Sequence, residues 1–187
     1  MSAPDDVAAA AQAIAAALLG ATVNPADALD LLEQLADFTP RAMTTSSAIG
    51  IAQATMQGAC GDLFRRSAVI ALARASSLYQ PSSYDDAIAV RDRIADLLDA
   101  EITIAGDQGE DASYQALREL RQAVVADLAA RGANLAAVQT VSTRSVTPAL
   151  SLAQRLYQDP GRSDDLVAQG NPRHPAFMPA SFRALSS

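Results

Sequence analysis

The chain has 187 residues, half of them apolar and many of those alanine, with a formal net charge of −7. That length allows one medium domain, or a helical domain with a small appended module, and it suffices to bury a core. The acidic balance disfavours non-specific adhesion to nucleic acid, and a single cysteine, Cys60, excludes an internal disulfide framework. All fourteen basic residues are arginine. Residues 1–135 hold nine of them against eighteen acids, whereas residues 136–187 hold five against three. An acidic body and a basic tail are expected to present different contact surfaces.

Residues 4–19 begin with Pro4, Asp5 and Asp6, which suit the positive end of a helix, and Gly20 offers a stop. Val7, Ala11, Ile14 and Leu18 fall on one face. The run is too short to span a bilayer and follows two acids instead of a basic n-region, so a soluble protein made in the cytoplasm is expected. Asn24-Pro25 reads as a cap and first-turn proline for a second helix striped with Ala28, Leu32 and Leu35, before Thr39-Pro40 interrupts. These two elements form an α-hairpin.

From Ser46 to about Leu78, Ile49, Ala52, Met56, Ala59, Leu63, Ser67, Ile70 and Leu78 recur at helical spacing, which predicts a core-facing helix. Cys60 lies in this apolar stretch and reads as a packed, inert thiol. Gly50, Gly58 and Gly61 predict close approach by a neighbour, or a break near Gly58 and Gly61, since each costs about 1 kcal/mol against alanine inside a helix. A Gly-x-x-Gly without a basic residue or flanking strands is a poor nucleic-acid clamp. Pro81-Ser82-Ser83 makes a break, and a serine cap with Asp85-Asp86 in the first turn starts a helix to roughly Glu101, or on through Ile104, burying Ala87, Val90, Ile94, Leu97 and Leu98. After a turn at Gly106-Asp107-Gln108-Gly109, a helix from Asp111 to Arg131 carries Leu117, Leu120, Val124 and Leu128, with Gly132 at its C-terminal cap. The paired acids in these first turns read as dipole complements.

Beyond Gly132, residues 137–146 are rich in β-branched side chains and predict a short strand or extended linker. Pro148 opens a helix with Leu150, Ala153, Leu156 and Tyr157. Asp159-Pro160-Gly161 is a turn, and Ser163-Asp164-Asp165 caps a short helix holding Leu166 and Val167. Asn171-Pro172 and His174-Pro175 end it, and Phe177, Met178, Phe182 and Leu185 supply a closing extended segment. The predicted fold class is therefore mainly α: an antiparallel helical bundle over residues 1–135 and a small βααβ module over residues 136–187.

The tail resembles a LysM-type module in Ser151-Leu152-Ala153, Leu156-Tyr157, Asn171, Pro175, Met178 and Pro179, with Ala180 where the family often has glycine. Most of the chain also resembles the C-terminal region of the phage Mu-type DNA circularisation (DNA circulation) proteins of tailed phages and prophages. The match rests on Ala153, Leu156-Tyr157, Asp159, Arg162, Asn171, His174-Pro175 and Phe177. The helical segments AIAVRDRIADLLDAE and LRELRQAVVADL resemble the family's middle region. Members are usually more than twice this long, with an N-terminal domain that has no counterpart in this sequence. Their genes typically lie among tail and baseplate genes. The resemblance implies a structural part of a tail-tube end or baseplate hub, placed in the virion and assembled in the host cytoplasm, with other tail or baseplate proteins as partners. Tyr157, Arg162, Asn171, His174, Pro175 and Phe177 are then the residues that shape the module or its contact surface.

Alternative readings are a peptidoglycan-binding LysM-type module and a DNA-binding protein acting in circularisation. Arg144, Arg155, Arg162, Arg173 and Arg183 encourage the DNA reading, whereas the acidic body opposes it. A second copy of the chain is a further candidate partner. No enzyme, cofactor, metal or membrane role is expected. His174 is the only histidine and reads as a hydrogen-bonded turn residue, and AIGIAQATMQG resembles a lytic transglycosylase segment without the glutamate that would serve as its acid.

Overall fold

The computed structural model describes residues 3–41 and 43–186, with side chains from Asp5 onward. Among the described residues seven α-helices and one pair of antiparallel strands follow in the order α1 (Ala3–Ala21), α2 (Pro25–Ala36), α3 (Ala48–Leu78), α4 (Tyr84–Asp107), α5 (Asp111–Gly132), β1 (Val138–Ser142), α6 (Ala149–Tyr157), α7 (Ser163–Gly170) and β2 (Ser181–Leu185). Among the described residues no helix is long and apolar enough to cross a membrane. The chain divides into two compact units. One comprises residues 1–80 and 89–129, the other residues 81–88 and 130–187.

In the first unit the signal at Asn24-Pro25 acts where the sequence placed it. The Asn24 side chain accepts a hydrogen bond from Ala26 N at 3.1 Å, and Pro25 opens α2, where its missing N–H costs nothing. Ser47 caps α3 by accepting from Gly50 N at 3.0 Å. The core gathers Leu29, Leu32, Leu72, Ile94, Leu98 and Leu128 with many alanines. Burying each leucine or isoleucine contributes about 1.5–3 kcal/mol, and the alanines let helices approach closely instead of adding bulk.

Several faces differ from expectation. Helix α1 runs through Gly20 and buries Ala11 and Ala15, leaving Val7 and Ile14 about half exposed. In α3 the core-facing set is Ser67, Ala68, Val69, Ala71, Leu72, Ala75 and Ser76. Ile49, Met56, Ile70 and Leu78, read from the sequence as core positions, face solvent. Periodicity says which residues share a face; what covers that face is decided by the neighbouring elements. The helix also passes unbroken through Gly58 and Gly61. A Cβ at Gly61 would lie 2.7 Å from Pro40 Cγ, so there the glycine serves close approach, whereas nothing stands near Gly58. Cys60 is half-buried rather than packed in the core. Helix α4 continues past Glu101 and Ile104 to Asp107, and the reversal falls on Gly109, whose φ is +70°.

The second unit holds the β1–α6–α7–β2 segment. Val138 pairs with Leu185 and Val141 with Phe182 in antiparallel register. Two strands alone are marginal in water, and this pair is backed by a core of Leu152, Ala153, Leu166, Met178, Phe182 and Ala184. In α6 it is Ala149, Leu152 and Ala153 that turn inward, and Leu150 stays exposed. Ser163 gives no side-chain cap to α7. Instead Asp159 accepts from Gly161 N at 2.8 Å and starts a single 3-10 turn, Pro160–Arg162, that leads into the helix. At the base of the unit Ser83 Oγ accepts from Asp86 N at 3.1 Å, and Asp85 accepts from Val138 N at 2.5 Å. The first-turn acids of α4 thus serve both the helix dipole and the entry to β1.

Candidate functional site

The six tail residues singled out by the sequence form two groups. The first is built on the C-terminal end of α6. The Tyr157 hydroxyl donates to the Leu185 carbonyl at 3.0 Å, which ties the helix to the end of β2. Gln158 takes a left-handed conformation at φ 56°, and the chain turns back so that the Arg162 guanidinium carbon lies 3.9 Å from the Tyr157 ring centroid. Arg162 Nε donates to Asp165 at 3.0 Å. A cation on an aromatic face contributes about 0.5–2 kcal/mol, more where water is excluded. Burial pushes the Tyr157 hydroxyl above its ordinary range, and the Arg162 cation opposes part of that shift.

The second group is the loop between α7 and β2. Asn171 ends α7 in the left-handed region at φ 39° and ψ 54°, with its N–H donating to the Val167 carbonyl at 2.9 Å. Asparagine tolerates that conformation better than any branched residue. His174 Nδ1 accepts from Ala176 N at 3.1 Å, so the ring braces its own turn. The His174 and Phe177 rings lie 5.9 Å apart, and the Phe177 ring is 68 % exposed. Phe177 closes the turn with its N–H donating to the His174 carbonyl at 2.9 Å, and neighbouring Met178 is fully buried. The Pro175 carbonyl accepts from Ala149 N at 2.8 Å and satisfies the first turn of α6, while Met178 N donates to Thr147 O at 3.1 Å. Val146 and Leu150, on either side of this junction in sequence, are 58 % and 60 % exposed. No hydrogen bond, ion pair or ring contact joins the Tyr157 group to the His174 group among the described residues.

The sequence reading missed a charged cluster in the first unit. Glu101, 2 % exposed, stands on the buried stripe of α4 after Ile94 and Leu98. Arg65 Nε donates to Glu101 Oε1 at 2.5 Å, and Arg66 Nε lies 3.6 Å from Oε2. Arg65 also pairs with Asp62, and Arg66 with Glu110 and, at 2.8 Å, with Gln108. The signal was present as one carboxylate interrupting an apolar stripe, a position that demands a cation. Each arginine in the cluster is engaged by carboxylates, so the arrangement ties α3 to α4 and to the turn after it. Elsewhere in this unit Arg93 bridges Glu33 and Asp30 at 2.6 and 2.8 Å, and both carboxylates keep it firmly protonated.

Among the described residues no three His, Cys, Asp or Glu side chains are grouped to hold a metal ion. No protein-family model matches the chain, and no curated protein matches it.

Proposed function

We propose that the chain is a structural, non-enzymatic adaptor of a phage or prophage tail, at the baseplate hub or tail-tube end. In this reading residues 1–135 form an antiparallel helical bundle and residues 136–187 a LysM-like βααβ module. It is supported by the resemblance of the tail to the C-terminal region of the Mu-type DNA circularisation proteins. The observation that carries it is the loop from Asn171 to Met178. Two backbone hydrogen bonds anchor this loop on the start of α6, so that it offers the His174 and Phe177 rings outward. An anchored loop with an exposed aromatic supports the adaptor reading, because aromatic rings supply much of the energy of protein interfaces.

A second reading, peptidoglycan binding, draws on the exposed Val146, Leu150 and Phe177 around the Thr147–Met178 pairing. LysM-type modules hold N-acetylglucosamine polymers through their loops. The deciding experiment is capture of purified neighbouring tail proteins by the full chain and by Phe177→Ala, with peptidoglycan and duplex DNA at physiological salt as parallel arms. Saturable capture of a tail protein, lost in Phe177→Ala at an unchanged unfolding midpoint, supports the adaptor. Phe177-dependent retention on peptidoglycan instead replaces it with the glycan reading, and tight DNA binding replaces it with the circularisation reading.

A further inference from the structure

The first four turns or so of α3 have two unlike sides. On one, the preceding loop lies against the helix, with Pro40 over Gly61 and Thr45 over Gly50. Roughly half a turn away run Ile49, Ala52, Met56, Ala59 and Leu63, spaced three and four residues apart as in a coiled-coil seam. Ile49 is 75 % and Met56 71 % exposed; Ala52 and Ala59 are also exposed. Between Arg41 and Asp62 the sequence has no charged residue, in a chain whose formal charge is −7. Here two copies can meet without setting acid against acid.

We propose that this stripe is an isologous interface, in which two copies of the chain pair antiparallel along the first three turns of α3. The seam alternates large and small, so a two-fold axis between Ala52 and Met56 sets Met56 against the partner's Ala52 and Ile49 against the partner's Ala59. Every layer then holds one large and one small side chain, the arrangement that fills space between close helices. Parallel pairing in register would stack Ile49 on its own copy and Ala52 on its own copy, giving crowded and hollow layers in turn. Asp62, the first charge after the seam, is already engaged by Arg65 and Gln108 of its own chain, so its charge is largely compensated where the copies meet. The seam is only about three turns long and falls short of the roughly 800 Å² per partner of a standard interface. A seam that short makes a weak, rapidly exchanging dimer.

The test is molar mass of the full chain by light scattering and sedimentation as concentration rises. Mass climbing toward twice that of the monomer is expected. Met56→Glu should hold the chain monomeric throughout, with its circular dichroism and urea midpoint unchanged because the side chain is exposed. In a Cys60→Ser background, Ala52→Cys chains mixed with Met56→Cys chains under oxidised glutathione should give the mixed disulfide in excess over either like pair. A monomer at every concentration, a dimer that Met56→Glu leaves intact, or a dominant pairing of Ala52→Cys chains with each other would overturn the proposal. None of these results bears on the tail reading, whose test is capture through Phe177.

Discussion

Replacing Arg65 with methionine removes three hydrogen bonds at once: to Glu101, to Asp62 and to the Phe38 carbonyl. Asp62 keeps a bond from Gln108 at 2.8 Å and stays partly wet, but Glu101 does not fare so well. Its side chain is 3 % exposed, and the cation left nearest, Arg66 Nε, lies 3.6 Å away without a hydrogen bond. Breaking a buried pair in this way costs about 3–5 kcal/mol, and the low end applies because Arg66 still screens the charge. For a chain of this size about 3 kcal/mol lowers the melting temperature by roughly 6–12 °C. The measurement is urea unfolding followed by helical circular dichroism, with a lower midpoint at an unchanged slope. Replacing both partners, Arg65→Met with Glu101→Met, should return all but about 1 kcal/mol, since apolar side chains then fill the space of a desolvated pair. A single variant as stable as the parent, or a double variant as unstable as the single one, would refute the view that Glu101 depends on Arg65.

Gly58→Ala should stabilise α3 by about 0.5–1 kcal/mol, because the added methyl meets nothing and alanine is the better helix former. Gly61→Ala should cost more than that gain, because the added methyl meets the rigid ring of Pro40 at 2.7 Å, so thermal melts of the two variants should move in opposite directions. Tyr157 gives a pH dependence with a defined sign. Its folded-state pKa is raised, so its contribution is fully present below the unfolded value of about 10 and is lost as pH rises through the higher folded value. Urea midpoints measured across the alkaline range should therefore fall more steeply for the parent than for Tyr157→Phe, and equal slopes would show that the hydroxyl does not titrate in this way. At neutral pH the same variant should lose about 1 kcal/mol with the Leu185 hydrogen bond.

What could be read from the sequence divides by the kind of constraint involved. Asn24-Pro25 and the first-turn acids of α4 were legible because a cap acts through atoms two or three residues away, and no tertiary knowledge is needed to see it. The close approach at Gly61 was legible as a need but not as an identity, since nothing local names Pro40 as the neighbour. The contact between Tyr157 and Arg162 was hidden because it rests on Gln158 entering the left-handed region, which glutamine rarely does. The α3 stripe shows the same division on a larger scale. Ile49, Ala52, Met56 and Ala59 do share a face, as their spacing demands, yet apolar spacing encodes only that a partner is wanted. Within one chain that partner is normally the core, which is why the stripe reads as buried. Exposed in the folded chain, the same pattern is the ground on which assembly is proposed. The α3 stripe is thus the place where a folding rule read from sequence gives the wrong side of the surface.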